Sequence, residues 1–153
     1  MKTVVQRVLD ARVVVGGETV GRCGVGFLVL VGVETDDTAE DARVLAAKIA
    51  SLRVFEDGAG KMNLSLSDIG GGALSVSNFT LPASVRRGNR PDFTAAAPPE
   101  KARELYDAFS EMLGALVPTE KGVFGADMKI EMTADGPVTL WLDSAILRGP
   151  RRK

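Results

Sequence analysis

The sequence predicts a single α+β domain, rich in strands and with two helices, and three observations lead to this prediction. The length of 153 residues suits one domain that buries a hydrophobic core. The first and last thirds of the chain carry strand patterns, and two segments with helical periodicity lie between them. No internal repeat or low-complexity linker divides the chain, so one compact unit is expected.

The first third predicts a hairpin followed by a buried strand. Residues 13–15 and 19–20 are runs rich in β-branched side chains, and the glycine turn at 16–18 lies between them. Residues 26–33 are continuously apolar, which is typical of a strand that is buried on both faces.

The first predicted helix begins at a capping box. Thr38-Ala39-Glu40-Asp41 has the required spacing, with Asp in the position that Glu or Gln usually takes. The helix is expected to end near residue 52. Its apolar face consists of Ala42, Leu45, Ile49 and Leu52.

A strand, a long loop and the second helix are predicted next. Residues 73–77 alternate like a strand, and residues 82–99 contain four of the seven prolines and three arginines. That composition predicts a long ordered loop, and such loops in small domains are often functional. Pro98-Pro99-Glu100 begins the second helix. Its apolar stripe consists of Leu105, Phe109, Met112, Leu113 and Leu116.

The last third predicts two strands and a tail. Residues 127–132 and 138–142 have strand character, and a turn is expected between them at 134–137. Residues 146–153 form a basic segment that is expected to be frayed. The predicted domain therefore spans 1–145, with a basic C-terminal tail at 146–153.

Composition excludes several classes of chemistry. The chain has no histidine, which removes histidine general bases, catalytic triads and histidine metal sites. Its one cysteine, Cys23, excludes an intrachain disulfide and a multi-thiolate zinc site. With 19 basic and 20 acidic residues the net charge is -1, so any nucleic-acid site must be a local patch. We expect neither a metal nor a cofactor.

The sequence predicts a cytoplasmic protein. Residues 1–7 lack the apolar region of a signal peptide. The longest apolar run, 27–31, is far too short to span a membrane.

Several motif-like segments favour ordinary structural roles. Gly24 and Gly26 do not complete a dinucleotide fingerprint because position 29 is valine. Gly60-Lys61 is not a P-loop, since Met62 stands where Ser or Thr is required. Cys23 is expected to be a packed small residue, and the acidic residues at 36–41 suit a helix start.

Two segments carry a stronger functional signal. Ser77-Asn78-Phe79-Thr80-Leu81 follows a predicted strand and offers hydroxyl, amide and backbone donors to a ligand. Asp135-Gly136-Pro137-Val138-Thr139 contains a Gly-Pro step. From spacing alone, the first is also compatible with a polar strand end, and the second with a simple turn.

Taken together, the segments resemble the D-aminoacyl-tRNA deacylase family, over nearly the whole chain. The resemblance runs from residues 6–8 to residues 141–142. Each segment alone is weak, but all in order, in a chain of this length without histidine, are specific. The matching segments are Gly60-Lys61-Met62-Asn63-Leu64, Ser77-Asn78-Phe79-Thr80-Leu81, Arg87-Gly88-Asn89-Arg90-Pro91, Phe124-Gly125-Ala126-Asp127-Met128 and Gly136-Pro137-Val138-Thr139.

The resemblance implies a homodimer with its active site at the dimer interface. The substrate would be the ester between a D-amino acid, or glycine mischarged on tRNA-Ala, and the terminal adenosine of tRNA. The catalytic strand end would be Ser77, Asn78, Phe79 and Thr80. Phe124 and Met128 match positions near the adenosine. Neither DNA nor a membrane is an expected partner.

The resemblance also implies how chirality is selected. Gly136 and Pro137, joined by a cis peptide bond, would enter the neighbouring subunit's pocket and hold the substrate's amino group by their carbonyls. Arg7 matches the arginine that secures this motif. The space left would exclude an L side chain, which is selection by a steric clash.

The expected chemistry needs no strong nucleophile. An aminoacyl ester is already activated, and backbone N–H groups near Phe79 and Thr80 are expected to stabilise the oxyanion. No base is evident beside Thr80, so we favour assistance by the tRNA's own 2′-hydroxyl, with Thr80 as a positioning group.

The chain departs from the family pattern at two positions. Asn78 stands where glutamine is usual, and Ala134 stands where asparagine is usual. Ser77 and Val138 agree with the D-specific branch rather than with a related branch that acts on L-threonyl-tRNA. The alternative to an active enzyme is a catalytically weakened tRNA-binding homodimer of the same fold.

Basic residues are expected to contact tRNA phosphates. Arg86, Arg87 and Arg90 lie in the loop after the proposed active strand, and phosphate contacts of this kind are largely independent of sequence. The tail adds Arg148, Arg151, Arg152 and Lys153. A solvated surface is the alternative interpretation of both groups.

Overall fold

The computed structural model describes residues 1–150, which form eight strands and three helices. The strands are β1 Lys2–Val15, β2 Glu18–Cys23, β3 Gly26–Gly32, β4 Phe55–Glu56, β5 Met62–Leu64, β6 Gly72–Ser77, β7 Thr119–Lys121 and β8 Lys129–Asp143. The helices are α1 Ala39–Ala50, α2 Pro99–Gly114 and α3 Ser144–Arg148. The predicted strand-rich single domain is confirmed, but the described part of the chain has three helices rather than two.

The long strand β1 organises a six-stranded sheet of order β2-β1-β3-β6-β7, with β8 added on β1. The first half of β1 pairs antiparallel with β3, and its second half pairs with β2. β8 runs antiparallel along both halves of β1. β6 is parallel to both β3 and β7. β4 and β5 form a separate two-stranded ribbon.

The predicted hairpin and the predicted buried strand are both confirmed. Val15 pairs with Glu18 across a turn in which Gly16 and Gly17 have φ angles of 60° and 91°, a conformation that glycine adopts without a steric penalty. In β3, Phe27 belongs to the main core beneath the helices, and Leu28 belongs to a second apolar cluster. Burial of alternate side chains on opposite faces explains the unbroken apolar run.

Gly26 is required by the close approach of β3 and β6. A Cβ atom at this position would lie 1.8 Å from the carbonyl oxygen of Gly72. The glycine therefore serves strand packing.

Cys23 is half-buried nearby, and burial raises the pKa of its thiol to about 11. The thiol is protonated at neutral pH, which agrees with the predicted packing role.

The two predicted helices pack together over the main core. Asp41 closes the capping box of α1, because its carboxylate accepts hydrogen bonds from the N–H group (2.9 Å) and the hydroxyl (2.8 Å) of Thr38. α1 ends at Ala50, two residues before the predicted end. α2 begins at Pro99, where a missing N–H group costs nothing. The largest buried side chains contributed by the helices are Leu45, Ile49, Tyr106, Phe109 and Leu113.

The expectation of a frayed tail from residue 146 is wrong for the described residues up to 148. These residues belong to α3, and the predicted boundary at 145 falls inside this helix. Asp143 caps the helix by accepting the N–H group of Ala145 at 2.9 Å. Arg148 donates to both carboxylate oxygens of Asp41, at 2.8 and 2.9 Å. Arg151, Arg152 and Lys153 lie outside the described residues.

No helix within residues 1–150 combines the length and the apolar character that crossing a bilayer requires.

We predict that Asp41→Asn destabilises the fold in a pH-dependent way. Burial raises the pKa of Asp41, but hydrogen bonds from Ser144, Thr38 and Arg148 outweigh it and hold the pKa below its ordinary value of 3.8. The charge therefore stabilises the folded state above that value and ceases to do so as the pH falls toward the lowered pKa. In denaturant unfolding at neutral pH, the variant's free energy of unfolding should be about 1–2 kcal/mol lower than that of the wild type.

The free energy of unfolding of the wild type should exceed that of Asp41→Asn by the same amount at about pH 7 and about pH 5. This difference should shrink toward about pH 3. Glu40→Gln, which alters an exposed neighbour paired only with Arg43, is the control. A difference that does not change with pH would contradict the role of the charge.

Candidate active site

The strand end at Ser77 turns sharply into a loop. The N–H group of Asn78 donates to the carbonyl of Val31 at 2.8 Å, which extends the alignment of β6 beside β3 by one residue. The chain then turns, and the amide oxygen of Asn78 accepts from the N–H group (3.0 Å) and the hydroxyl (2.5 Å) of Thr80. This is an Asx turn, the local structure that a short amide side chain favours.

The Asx turn determines which groups are free to act on a ligand. The hydroxyl proton of Thr80 is directed to a neutral amide oxygen, which is too weak a base to activate a nucleophile. The Thr80 N–H group is occupied by the same oxygen. The N–H group of Phe79 has no acceptor among residues 1–150, so it is the donor left free for an oxyanion.

A pocket of about 290 Å³ lies beside this strand end. It brings together four residues that the sequence indicated: Ser77, Phe79, Phe124 and Met128. Asn78 and Thr80 belong to the turn between and after the first two. Pro99, Gly125 and Ala126 complete the lining and were not predicted. The mixture of aromatic rings and a hydroxyl suits a flat heterocycle carrying polar groups.

The wall of the pocket that Phe124 forms is connected to β6 through one carbonyl group. The carbonyl oxygen of Ser75 accepts the hydroxyl of Tyr106 and the N–H group of Gly122, both at 2.9 Å. The Tyr106 ring packs at 6.0 Å from the ring of Phe124. Burial raises the pKa of Tyr106, so its hydroxyl is a protonated donor at neutral pH. Ser77 lies two positions after this anchor, with Val76 between them.

The wall of the pocket that Phe79 forms contacts the loop that carries the arginines. The Phe79 side chain is 64% exposed, and its ring packs at 5.3 Å from the ring of Phe93. Reciprocal backbone hydrogen bonds of 2.8 Å between Ser84 and Asp92 close the loop just before Phe93. The predicted phosphate contacts, Arg86, Arg87 and Arg90, lie between them and are exposed.

A second cavity of about 560 Å³ is larger but is less suited to chemistry on an ester. Three of its four carboxylates are already engaged: Asp37 pairs with the amino group of Met1, Glu34 with Lys2, and Asp41 with Arg148. Residues 1–150 contain no cluster of three or more acidic or thiol side chains placed to bind a metal ion. We therefore assign the candidate site to the smaller pocket.

The Gly-Pro segment is a bulge in one strand, and the prediction of a turn between two strands is wrong. β8 is continuous from Lys129 to Asp143, and both of its halves pair with β1. Gln6 pairs with Thr139 and Val8 pairs with Ala134, so the four residues 135–138 face Arg7 alone. The peptide bond between Gly136 and Pro137 is cis. Proline is tolerated within a strand at such a bulge.

Arg7 and Gln6 hold this bulge from the β1 side. Arg7 is buried, with its Nε atom 2.9 Å from a carboxylate oxygen of Asp135 and a terminal nitrogen donating to the carbonyl of Val54. Gln6 donates to the carbonyl of Val138 at 3.3 Å and accepts the hydroxyl of Thr139. Gln6 and Asp135 were not predicted from the sequence as site residues. The sequence did hold a signal for them: Arg7 lies within a largely apolar strand. A cation buried there requires a partner, which indicates that polar side chains lie nearby.

The bulge and the pocket lie apart within one chain. Arg7 pairs with Phe27, whereas Ser77 pairs with Val31, four residues further along β3. That separation is about 13 Å along the strand. β1 and β3 also lie between β8 and β6. No residue of the bulge lines the pocket.

Comparison with solved structures gives the fold class. A structure named "c-Myc DNA Unwinding Element Binding Protein" superposes with a TM-score of 0.89 at 43% identity, covering 94% of this chain and 98% of that one. A second, "Structural Analysis of a probable eukaryotic D-amino acid tRNA deacylase", has a TM-score of 0.81 at 17% identity over 92% and 97%. The second likeness concerns the fold alone.

Comparison of sequences gives the family. The model described as D-Tyr-tRNA(Tyr) deacylase matches residues 4–143, so the chain belongs to this family. A D-aminoacyl-tRNA deacylase of Chloroflexus aurantiacus is 58% identical over 153 aligned positions, covering 99% of this chain and 96% of that protein. Those of Thermomicrobium roseum and Deinococcus radiodurans are each 57% identical and cover 97% and 94% of this chain, and 97% and 99% of their own lengths. The resemblance seen in the sequence is confirmed.

Proposed function

We propose that this chain hydrolyses the ester bond of D-aminoacyl-tRNA and also that of glycine mischarged on tRNA-Ala. The observation that carries the proposal is the pocket formed by Ser77, Phe79, Phe124 and Met128 at a strand end with a free N–H group. The high identity to proteins named D-aminoacyl-tRNA deacylase, over nearly the whole chain, supports the same reaction.

In the proposed mechanism, the terminal adenosine occupies the pocket and the ester lies against the turn at 78–80. Water adds to the carbonyl carbon, and the N–H group of Phe79 stabilises the resulting oxyanion. The C–O bond then breaks, and the 3′-oxygen of tRNA leaves with a proton. The neighbouring 2′-hydroxyl of the substrate assists the proton transfer, because the chain offers no histidine and Thr80 has no base beside it.

A homodimer would bring the Gly-Pro bulge to the pocket. Within one chain the bulge lies too far from Thr80 to contact the same substrate. β8 is a 15-residue edge strand that is mostly exposed, and exposed edges of this length favour pairing with another chain. It also exposes Ile130, Met132 and Trp141. We propose that a second copy covers this surface and receives the bulge in its pocket.

Chiral selection would follow from the rigidity of the bulge. Gly136 has a φ of 118°, and a Cβ atom there would lie 2.7 Å from the backbone nitrogen of Val138. The contacts of Arg7 with Asp135 and of Gln6 with Val138 hold the bulge in place. In the proposed complex, its carbonyls hold the substrate's amino group and leave no room for an L side chain.

The loop arginines Arg86, Arg87 and Arg90 would contact phosphates of the acceptor stem. They are exposed, and the Phe79–Phe93 contact joins their loop to the pocket. Such contacts position the tRNA without reading its sequence.

One observation favours a second candidate function, a tRNA-binding homodimer with weakened catalysis. Asn78 occupies the N–H group of Thr80, which removes one of the two expected oxyanion donors. Ala134 also lacks a polar side chain beside the bulge. Such a protein would bind D-aminoacyl-tRNA without turning it over.

The first test compares hydrolysis of D-tyrosyl-tRNA and L-tyrosyl-tRNA by the purified chain. Release of the D ester alone is expected. Gly136→Ala should lower kcat/KM for the D ester at least about tenfold, because the backbone conformation at this position excludes a side chain. Binding of tRNA without hydrolysis of either ester would favour the second candidate function. A wild-type rate for Gly136→Ala would contradict the role of the bulge.

We predict that Asn78→Gln raises kcat for D-tyrosyl-tRNA. The longer side chain does not form the two-residue Asx turn and therefore frees the N–H group of Thr80. An added oxyanion donor should increase kcat by about tenfold, with little change in KM. Asn78→Ser, whose hydroxyl can accept the same Thr80 N–H group in an ST turn without adding a charged base, is the matched control and should give no increase. An unchanged kcat for Asn78→Gln would show that Thr80 is not an oxyanion donor.

We predict that Met132→Lys disrupts the dimer and abolishes hydrolysis together. A charge on the apolar edge face of β8 would have to be desolvated on association. Glu131→Gln is the control, since Glu131 pairs with Arg12 and both side chains are exposed. Sedimentation should show a species near the 16.1 kDa mass of one chain for Met132→Lys only. A monomeric variant with full activity would contradict the shared active site.

A further inference from the structure

Arg103 lies against the pocket wall but has no part in the site described so far. It lies on α2, and its guanidinium carbon is 4.7 Å from the centroid of the Phe124 ring. This is a cation–π contact, in which the ring attracts the positive charge without accepting a conventional hydrogen bond. The donors of Arg103 therefore keep their capacity for another partner.

The positive charge of Arg103 is not neutralised within the described part of the chain. No carboxylate of residues 1–150 forms a salt bridge with it, and its side chain is exposed. Asp107, one helical turn further along α2, is already paired with Lys121 at 2.9 Å. An arginine held beside an aromatic pocket without an acidic partner is suited to an anion on the ligand.

We infer that Arg103 binds the 5′-phosphate of the terminal adenosine of tRNA. The inference rests on the proposed function, since it takes the base of that nucleotide to occupy the pocket lined by Phe124. One ribose separates a base from its own 5′-phosphate, so a cation on the ring that lines the base pocket is within reach of that group. Arginine matches phosphate with two parallel N–H donors.

The location of Arg103 distinguishes it from the loop arginines. The loop carrying Arg87 joins the pocket through Phe79 and Phe93, whereas Arg103 reaches it through Phe124. The two groups therefore flank different walls of the pocket. Arg103 is assigned to the nucleotide inside the pocket, and the loop to phosphates further along the acceptor stem.

The test compares adenosine with 5′-AMP, which differ by the one phosphate in question. Dissociation constants for wild type and Arg103→Gln would be measured by NMR titration of the full chain. Arg103→Gln should weaken AMP binding about 3- to 10-fold, as expected for a solvent-exposed charge-assisted contact, and leave adenosine binding unchanged. Arg43→Gln, an exposed arginine on α1 that pairs with Glu40, is the matched control and should change neither.

Turnover of D-tyrosyl-tRNA and of 3′-D-tyrosyl-adenosine, which lacks the phosphate, provides a second readout. Arg103→Gln should raise KM for the tRNA ester and leave KM for the adenosine ester unchanged. An equal loss with adenosine and AMP would show that Arg103 only supports Phe124, and an unchanged AMP affinity would overturn the phosphate contact. Failure of the wild-type chain to hydrolyse either ester would refute the proposed function, while the AMP and adenosine titrations would still decide the inference.

Discussion

The pairing of β8 with β1 around Arg7 is the constraint on which the rest of the site depends. Four residues of β8 face this one residue of β1, so the Gly-Pro segment must leave the plane of the sheet. The opposite edge of the same half of β1 holds β3, and β3 holds β6. One strand therefore fixes both the bulge on the exposed edge and the strand end beside the pocket.

The burial of Arg7 makes this arrangement stiff. A buried guanidinium is costly unless it is paired, and here Asp135 and the carbonyl of Val54 are its partners. Loss of either partner would leave a charge in a site that water reaches poorly. The bulge is therefore held by the energetic requirement of the arginine as well as by the ladder hydrogen bonds. Gln6 adds bonds to its far end, at Val138 and Thr139.

Elements determined by local sequence were predictable, and those determined by distant partners were not. The hairpin at Gly16 and Gly17, the doubly buried strand β3 and the starts of α1 and α2 follow from turn residues, apolar periodicity and capping. The bulge was predicted as a turn because nothing local shows that both halves of β8 pair with β1. α3 was missed because Arg148 meets a partner 107 residues away, Asp41. Pro99 joins the pocket only through the packing of α2.

In the candidate site, too, some features could be predicted from the sequence and others could not. The residue types at 77–80, 124 and 128 could be selected from the sequence through the family resemblance, but the state of Thr80 could not. Its hydroxyl and N–H group both meet the amide of Asn78, a contact that depends on the side chain being one methylene shorter than glutamine. The pocket walls are anchored separately, at Ser75 and Phe93, so in the proposed mechanism this contact would act on the oxyanion donors rather than on the pocket. In that mechanism the backbone of the turn at 78–80 would govern ester hydrolysis and the side chains lining the pocket would bind the nucleotide. Phe79 would contribute to both, through its N–H group and its ring.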